Sequence, residues 1–194
     1  MRFKQAFFAM FRAAGSKSLA LLVFPAMFFA LSQCATVEEK EAEFGSNPPI
    51  IATAFAKKKI QTGDTWRIYI NAFDPDGDMK LILVSSLLQE GGDPYPFSTV
   101  KIPKESGDQL SGYVYLTTSP FEDLWNVHLD LTMNIVDRAG HMSLPQHFEL
   151  TFSHKASEVE PDPELFTDRS LGPISIDLIN PGLFDASGGG TPEP

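Results

Sequence analysis

Residues 65–78 read "TWRIYINAFDPDGD", and in the first eight of them apolar and polar side chains alternate. Trp66, Ile68, Ile70 and Ala72 fall on one side, and Arg67, Tyr69 and Asn71 on the other. A period of two is what a half-buried strand requires, because successive side chains point to opposite faces. The run stops at Asp74-Pro75-Asp76-Gly77-Asp78, residues suited to a tight turn. Strand followed by turn is therefore the unit from which this chain is built.

The unit recurs in both directions. In residues 126–136, "NVHLDLTMNIV", Val127, Leu129, Leu131, Met133 and Ile135 oppose His128, Asp130, Thr132 and Asn134. Residues 147–152, "HFELTF", place Phe148, Leu150 and Phe152 inside. Turn residues cluster at 62–64, 74–78, 91–94, 106–108, 119–120 and 137–140. Between them the pattern predicts about seven strands, near 50–57, 65–73, 79–88, 95–102, 111–118, 126–136 and 146–153. Short strands at this spacing predict an all-β chain with one antiparallel sandwich. The run 79–88, "MKLILVSSLL", is apolar on both faces and belongs inside a sheet.

Residues 47–153 resemble a bacterial immunoglobulin-like domain of the fibronectin III, cadherin-like or PKD-like kind. The resemblance is carried by Gly63-Asp64 ahead of the Trp66 strand, by "AFDPDGD" (72–78), and by "VDRAGHMS" (136–143). It implies an immunoglobulin-like sandwich, assigned to residues 47–154. The chain has one cysteine, so no intersheet disulfide is available, and the apolar faces must hold the fold.

That cysteine, Cys34, stands where an apolar run gives way to an acidic one. Arg2, Lys4, Arg12 and Lys17 precede it without any acidic residue, and the uncharged run Leu19–Leu31 follows. A basic region, a short apolar stretch and then a boundary is the order of a secretory signal, assigned to residues 1–33, with Met1 and Met10 both possible starts. At 13 residues, and with Pro25 inside it, the run falls short of the ~20 needed to span a bilayer. An uncleaved signal anchor is the alternative. Leu31-Ser32-Gln33-Cys34 resembles the lipobox of bacterial lipoproteins, with Gln33 where that pattern has a small residue. The resemblance implies cleavage before Cys34 and lipidation of its thiol with fatty acyl chains such as palmitate. Two such signals already anchor a protein stably. Ala35 in place of aspartate implies sorting to the outer membrane, facing either the periplasm or the cell surface.

The mature form is strongly acidic. Losing the four basic residues before Cys34 leaves 11 basic against 25 acidic, a net charge of −14. Such a polyanion is repelled by nucleic acid and by anionic headgroups, which excludes both as direct ligands. Residues 34–46 are read as the lipidated cysteine and an acidic linker. Residues 155–194 are rich in proline, glycine and acid and are expected to be a flexible, mostly disordered acidic tail. Within it Ile174, Ile176 and Leu178 alternate, as a strand would that adds to its own sheet edge or to a partner's.

Three constellations invite chemistry. Asp74, Asp76 and Asp78 resemble the first carboxylates of a calcium loop, but Met79 and Ser85 stand where that loop needs Gly and Glu. The alternatives are a plain turn or weak calcium binding. His128 and His147 take outward positions on neighbouring strands. Pairing through the 137–143 turn sets His147 opposite Thr132, too far from His128 for a shared metal. No nucleophile motif of the Gly-x-Ser-x-Gly or His-Glu-x-x-His kind occurs, so no catalytic residue is assigned. The expected function is a non-enzymatic, membrane-anchored binding or assembly module of the bacterial envelope, contacting another envelope protein or a glycan. A small envelope-polymer hydrolase using surface carboxylates and a mechanical spacer or adhesion domain are the alternatives.

Overall fold

The computed structural model describes residues 36–89, 94–118, 120 and 124–176. The chain divides into two units, Met1–Glu39 and Lys40–Pro194. The signal segment, Cys34 and Leu178 lie outside the described residues.

Alternation at residues 65–72 becomes strand β3 (Thr65–Phe73). The other described strands are β1 (Ile50–Ala56), β2 (Lys59–Ile60), β4 (Met79–Gln89), β5 (Ser98–Lys101), β6 (Gln109–Thr117), β7 (His128–Asp137), β8 (Gln146–Phe152) and β9 (Ser170–Pro173). They form two sheets, ordered β1-β3-β6-β9 and β2-β8-β7-β4-β5. The order follows from an immunoglobulin-like route: after β1 the chain switches sheets at Lys57–Lys58, so that β2 runs parallel to β8. All seven expected strands are present. The protein is an immunoglobulin-like antiparallel β-sandwich.

The inward faces meet in one core. Trp66, Ile68 and Ile70 of β3 and Val114 and Leu116 of β6 pack with Ile82, Leu131, Met133, Ile135 and Phe152 of the opposite sheet. Trp66 is fully buried, and its Nε1–H donates to the Lys57 carbonyl at 2.8 Å. The largest side chain of the core thereby fixes the point where the chain changes sheets. In β4 the pairing with β7 shifts register between Val84 and Ser86. An extra residue at a bulge reverses the facing of the residues beyond it. Val84 and Leu87 therefore both point inward, while Leu88 is 42% exposed. This explains why residues 79–88 look apolar on both faces.

Two segments depart from the expectation. The acidic linker, read as a flexible tether, contains a helix, α1 (Val37–Phe44). It starts with a reciprocal cap: Glu39 N–H donates to Thr36 Oγ1 and Thr36 N–H donates to Glu39 Oε2. It ends at Gly45, whose φ of +100° suits a helix stop.

The tail departs more. Its first part returns to the sandwich, so the expectation of a mostly disordered segment does not hold for residues 156–176. Lys57 pairs with Glu160, Phe166 packs on Phe55 and Tyr69, and Asp168 meets Arg67 and the Tyr69 hydroxyl. β9 then pairs in parallel with β6. The Arg169 carbonyl accepts from Tyr113 N–H at 2.8 Å, and an added Cβ at Gly112 would lie 2.4 Å from that same oxygen. Gly112 is thus the residue that lets the tail approach. Just past β9, Ile174 is 3% exposed and belongs to the core, with Ile176 packed against it. Of the two roles open to the 174–178 pattern, addition to its own sheet edge is the one observed for Ile174. It is not available as a partner contact.

Candidate functional site

Among the described residues, one end of the sandwich gathers Asp74, Asp76, Asp78 and Asp137 from the turns after β3 and β7. β3 finishes there at Phe73, β4 begins at Met79 and β7 finishes at Asp137, while the chain enters β1 beside them. The β3–β4 turn is held by Gly77 N–H donating to the Asp74 carbonyl and by Asp76 N–H donating to Asp74 Oδ1. Gly77 takes φ +74°, the conformation that the Asp-Pro-Asp-Gly run was expected to need.

This turn does not bring the three expected carboxylates together. Asp74 and Asp78 point inward, at 4% and 7% exposure. Asp76 points outward, where its carboxylate accepts from the Asn47 backbone N–H at 2.7 Å and from Asn47 Nδ2 at 2.9 Å. Asn47 holds the Asp76 carboxyl below the ordinary carboxylate value. The third inward carboxylate is Asp137, 1% exposed, and the sequence reading did not single it out. Asp74, Asp78 and Asp137 each offer an oxygen within 4.8 Å of the others. The register brings it there: Met79 pairs with Asp137 across β4 and β7, which sets Asp78 beside the last residue of β7. The three are the group among the described residues that could hold a metal ion.

Their surroundings are specific. Asp137 Oδ1 accepts from Gly140 N–H at 2.6 Å and His141 N–H at 2.7 Å, and its Oδ2 lies 2.9 Å from His141 Nδ1. Asp78 Oδ2 accepts from Arg138 N–H at 3.0 Å. Burial pushes the Asp74 carboxyl above its ordinary value, against the N–H of Asp76 and with the charges of Asp78 and Asp137 adding to the rise. His141 Nε2 reaches Glu41 of α1 at 3.0 Å. Glu41 and then Asp137 raise the imidazole above its ordinary value. Linker and loops are therefore joined by two sets of contacts, Glu41 with His141 and Asn47 with Asp76.

The remaining histidines stay apart. Thr132 pairs with His147 and Thr151 with His128, the spacing expected from the turn. Each ring instead bonds its cross-strand threonine, at 3.0 Å and 2.9 Å.

Large apolar side chains are exposed away from that end as well. Leu88 at the end of β4, Phe97 just before β5 and Trp125 just before β7 are exposed by 42%, 73% and 58%. The Trp125 ring stacks on His154, with centroids 5.4 Å apart. At the acidic end Met142 and Leu144 are the exposed counterparts. Along the side, a groove of about 580 Å³ runs between β1 and β8, lined by Ala54, Phe55, Ala56, Phe148 and Val159 with Glu149 as its one carboxylate. Among the described residues no helix is long and apolar enough to cross a membrane.

No family model matches the chain, and no curated protein matches its sequence. Among solved structures it is similar to the PKD domain of an M14-like peptidase from Thermoplasmatales archaeon SCGC AB-540-F20. That likeness has 17% identity and a TM-score of 0.37, and covers 56% of this chain and 99% of that one. It is also similar to a CARDB domain from Pyrococcus furiosus, with 9% identity and a TM-score of 0.29, over 55% of this chain and 87% of that one. The sheet order, rather than these likenesses, defines the fold.

Proposed function

We propose that the chain is a membrane-anchored, non-enzymatic binding or assembly module of a bacterial envelope, tethered through Cys34. It contacts its partner, another envelope protein or a glycan, through the end of the sandwich remote from the tether. The observation that carries this reading is the exposure of two aromatic side chains away from the linker. The linker joins the sandwich at the end bearing Asp76 and His141, whereas Trp125 is exposed at the other end and Phe97 on the β5 edge. Exposed aromatic side chains on the end loops of a rigid sandwich are a common way to build a contact surface. The acidic end, lying next along the chain from Cys34, is poorly suited to anionic headgroups.

The two halves of the proposal are tested separately. For the anchor, the intact mass of membrane-extracted protein is expected to begin at Cys34 and to include acyl chains. An unmodified Cys34, or a retained Met1 or Met10, would remove the anchor. For the contact surface, photo-cross-linking groups at positions 97 and 125 should trap a partner in the intact envelope.

A further inference from the structure

Asp74 and Asp78 each keep one buried carboxylate oxygen, Oδ2 and Oδ1 respectively, that has no hydrogen-bond partner. The third carboxylate, Asp137, lies with them, and all three side chains are more than nine-tenths buried. Their other oxygens are not idle. N–H groups of Asp76, Arg138, Gly140 and His141 donate to them, which fixes the orientation of each carboxyl group. Burying three carboxyl groups this close together removes hydration that the two unpartnered oxygens do not recover from any group of the chain.

We propose that Asp74, Asp78 and Asp137 form a site for a single divalent cation, calcium by its donor chemistry. The donors are all oxygens, the choice of a hard cation. Calcium holds oxygens at about 2.3–2.6 Å, so two ligands on one ion stand at most about 5 Å apart. The triad, with its oxygens within 4.8 Å, fits that span before any adjustment. The two unpartnered oxygens then gain the partner they lack. Asp74 follows β3 in one sheet, while Asp78 precedes β4 and Asp137 ends β7 in the other, so the ion clamps the two sheets at the end where the linker joins. The site is independent of the partner-binding reading, and its failure would leave that reading untouched, because no partner takes part in the test.

The experiment uses the full chain extracted in detergent, stripped with EGTA and titrated with calcium chloride by calorimetry and thermal unfolding. One calcium per chain is expected, with a midpoint about 4–8 °C higher at saturating calcium than in EGTA. Asp78→Asn should lose the response, yet in EGTA melt at or above the parent, since one of three crowded buried carboxyl groups is gone. Asp76→Asn should keep the response, because that carboxylate faces outward onto Asn47. No heat and no shift in the parent would overturn the site and leave Asp74 and Asp78 sharing a proton. An equal shift with sodium or magnesium chloride at matched ionic strength, or an undiminished response in Asp78→Asn, would overturn it too.

Discussion

Replacing Trp66 with alanine is expected to destabilise the domain by about 3–5 kcal/mol, the largest effect of any single truncation in this core. Two losses combine. The indole is fully buried between the sheets, so its removal leaves a cavity that neighbours from both β-layers cannot close. The Lys57 carbonyl also loses its donor at the sheet switch, and an orphaned buried acceptor adds about 1–3 kcal/mol of its own when water cannot reach it. Trp66→Phe separates the two, keeping most of the packing while removing the N–H. It should fall between parent and alanine. Chemical denaturation of the three proteins measures this directly. If Trp66→Ala lost less than about 1 kcal/mol, Trp66 would not sit at the centre of an intersheet core.

Ending the chain after Arg169 should cost about 2–5 kcal/mol, the range for losing a buried isoleucine. The deletion takes away Ile174, the β9 pairing with β6, and the hydrogen bond from Ile174 N–H to the Tyr115 carbonyl at 2.7 Å. It uncovers the inner side of β6 beside Val100, which Gly172 otherwise approaches closely. Gly112→Ala probes the same docking from the other side. Its φ is +154°, and a methyl group there collides with the Arg169 carbonyl. That variant should release residues 156–176 to protease while leaving β3 and β7 protected. An unchanged melting curve for the shortened chain would mean that the tail is an appendage after all.

These two predictions also mark what the sequence could convey. Trp66 was legible because its strand alternates over residues 65–72, so local order sufficed; that the tail buries Tyr69 on the outer side was not. β7 and β8 were legible for the same reason, and their register followed from the length of the turn between them. β2, with two residues, has no period to read. β9 is "SLGP", without alternation, and its partner Tyr113 lies 57 residues before Ser170. Such pairing depends on the finished surface of β6, which no local pattern reports. The bulge in β4 conceals alternation by reversing it halfway.

The acidic site was half legible. Asp-Pro-Asp-Gly-Asp was visible as a turn with ligand-like spacing, but spacing alone treats its three carboxylates alike. The turn sends Asp76 outward to Asn47 and keeps Asp74 and Asp78 inside. Asp137 joins them from 59 residues beyond Asp78, through the pairing of β4 with β7. The contact of Glu41 with His141 was invisible, because a linker rich in acid reads as solvated chain until a histidine is placed against it.

A partner seated on the remote end of the sandwich is the central claim. The direct measurement is site-specific photo-cross-linking in the intact envelope, with the reactive side chain placed in turn at Phe97, Trp125 and Lys104. Trp125 is exposed at the remote end and Phe97 on the β5 edge away from the linker, and Lys104 is exposed in the connection between β5 and β6 at the end where the linker joins. The same discrete adduct is expected from positions 97 and 125, and none from 104. Adducts from 104 alone, equal labelling at all three, or no adduct at either remote position would contradict the claim.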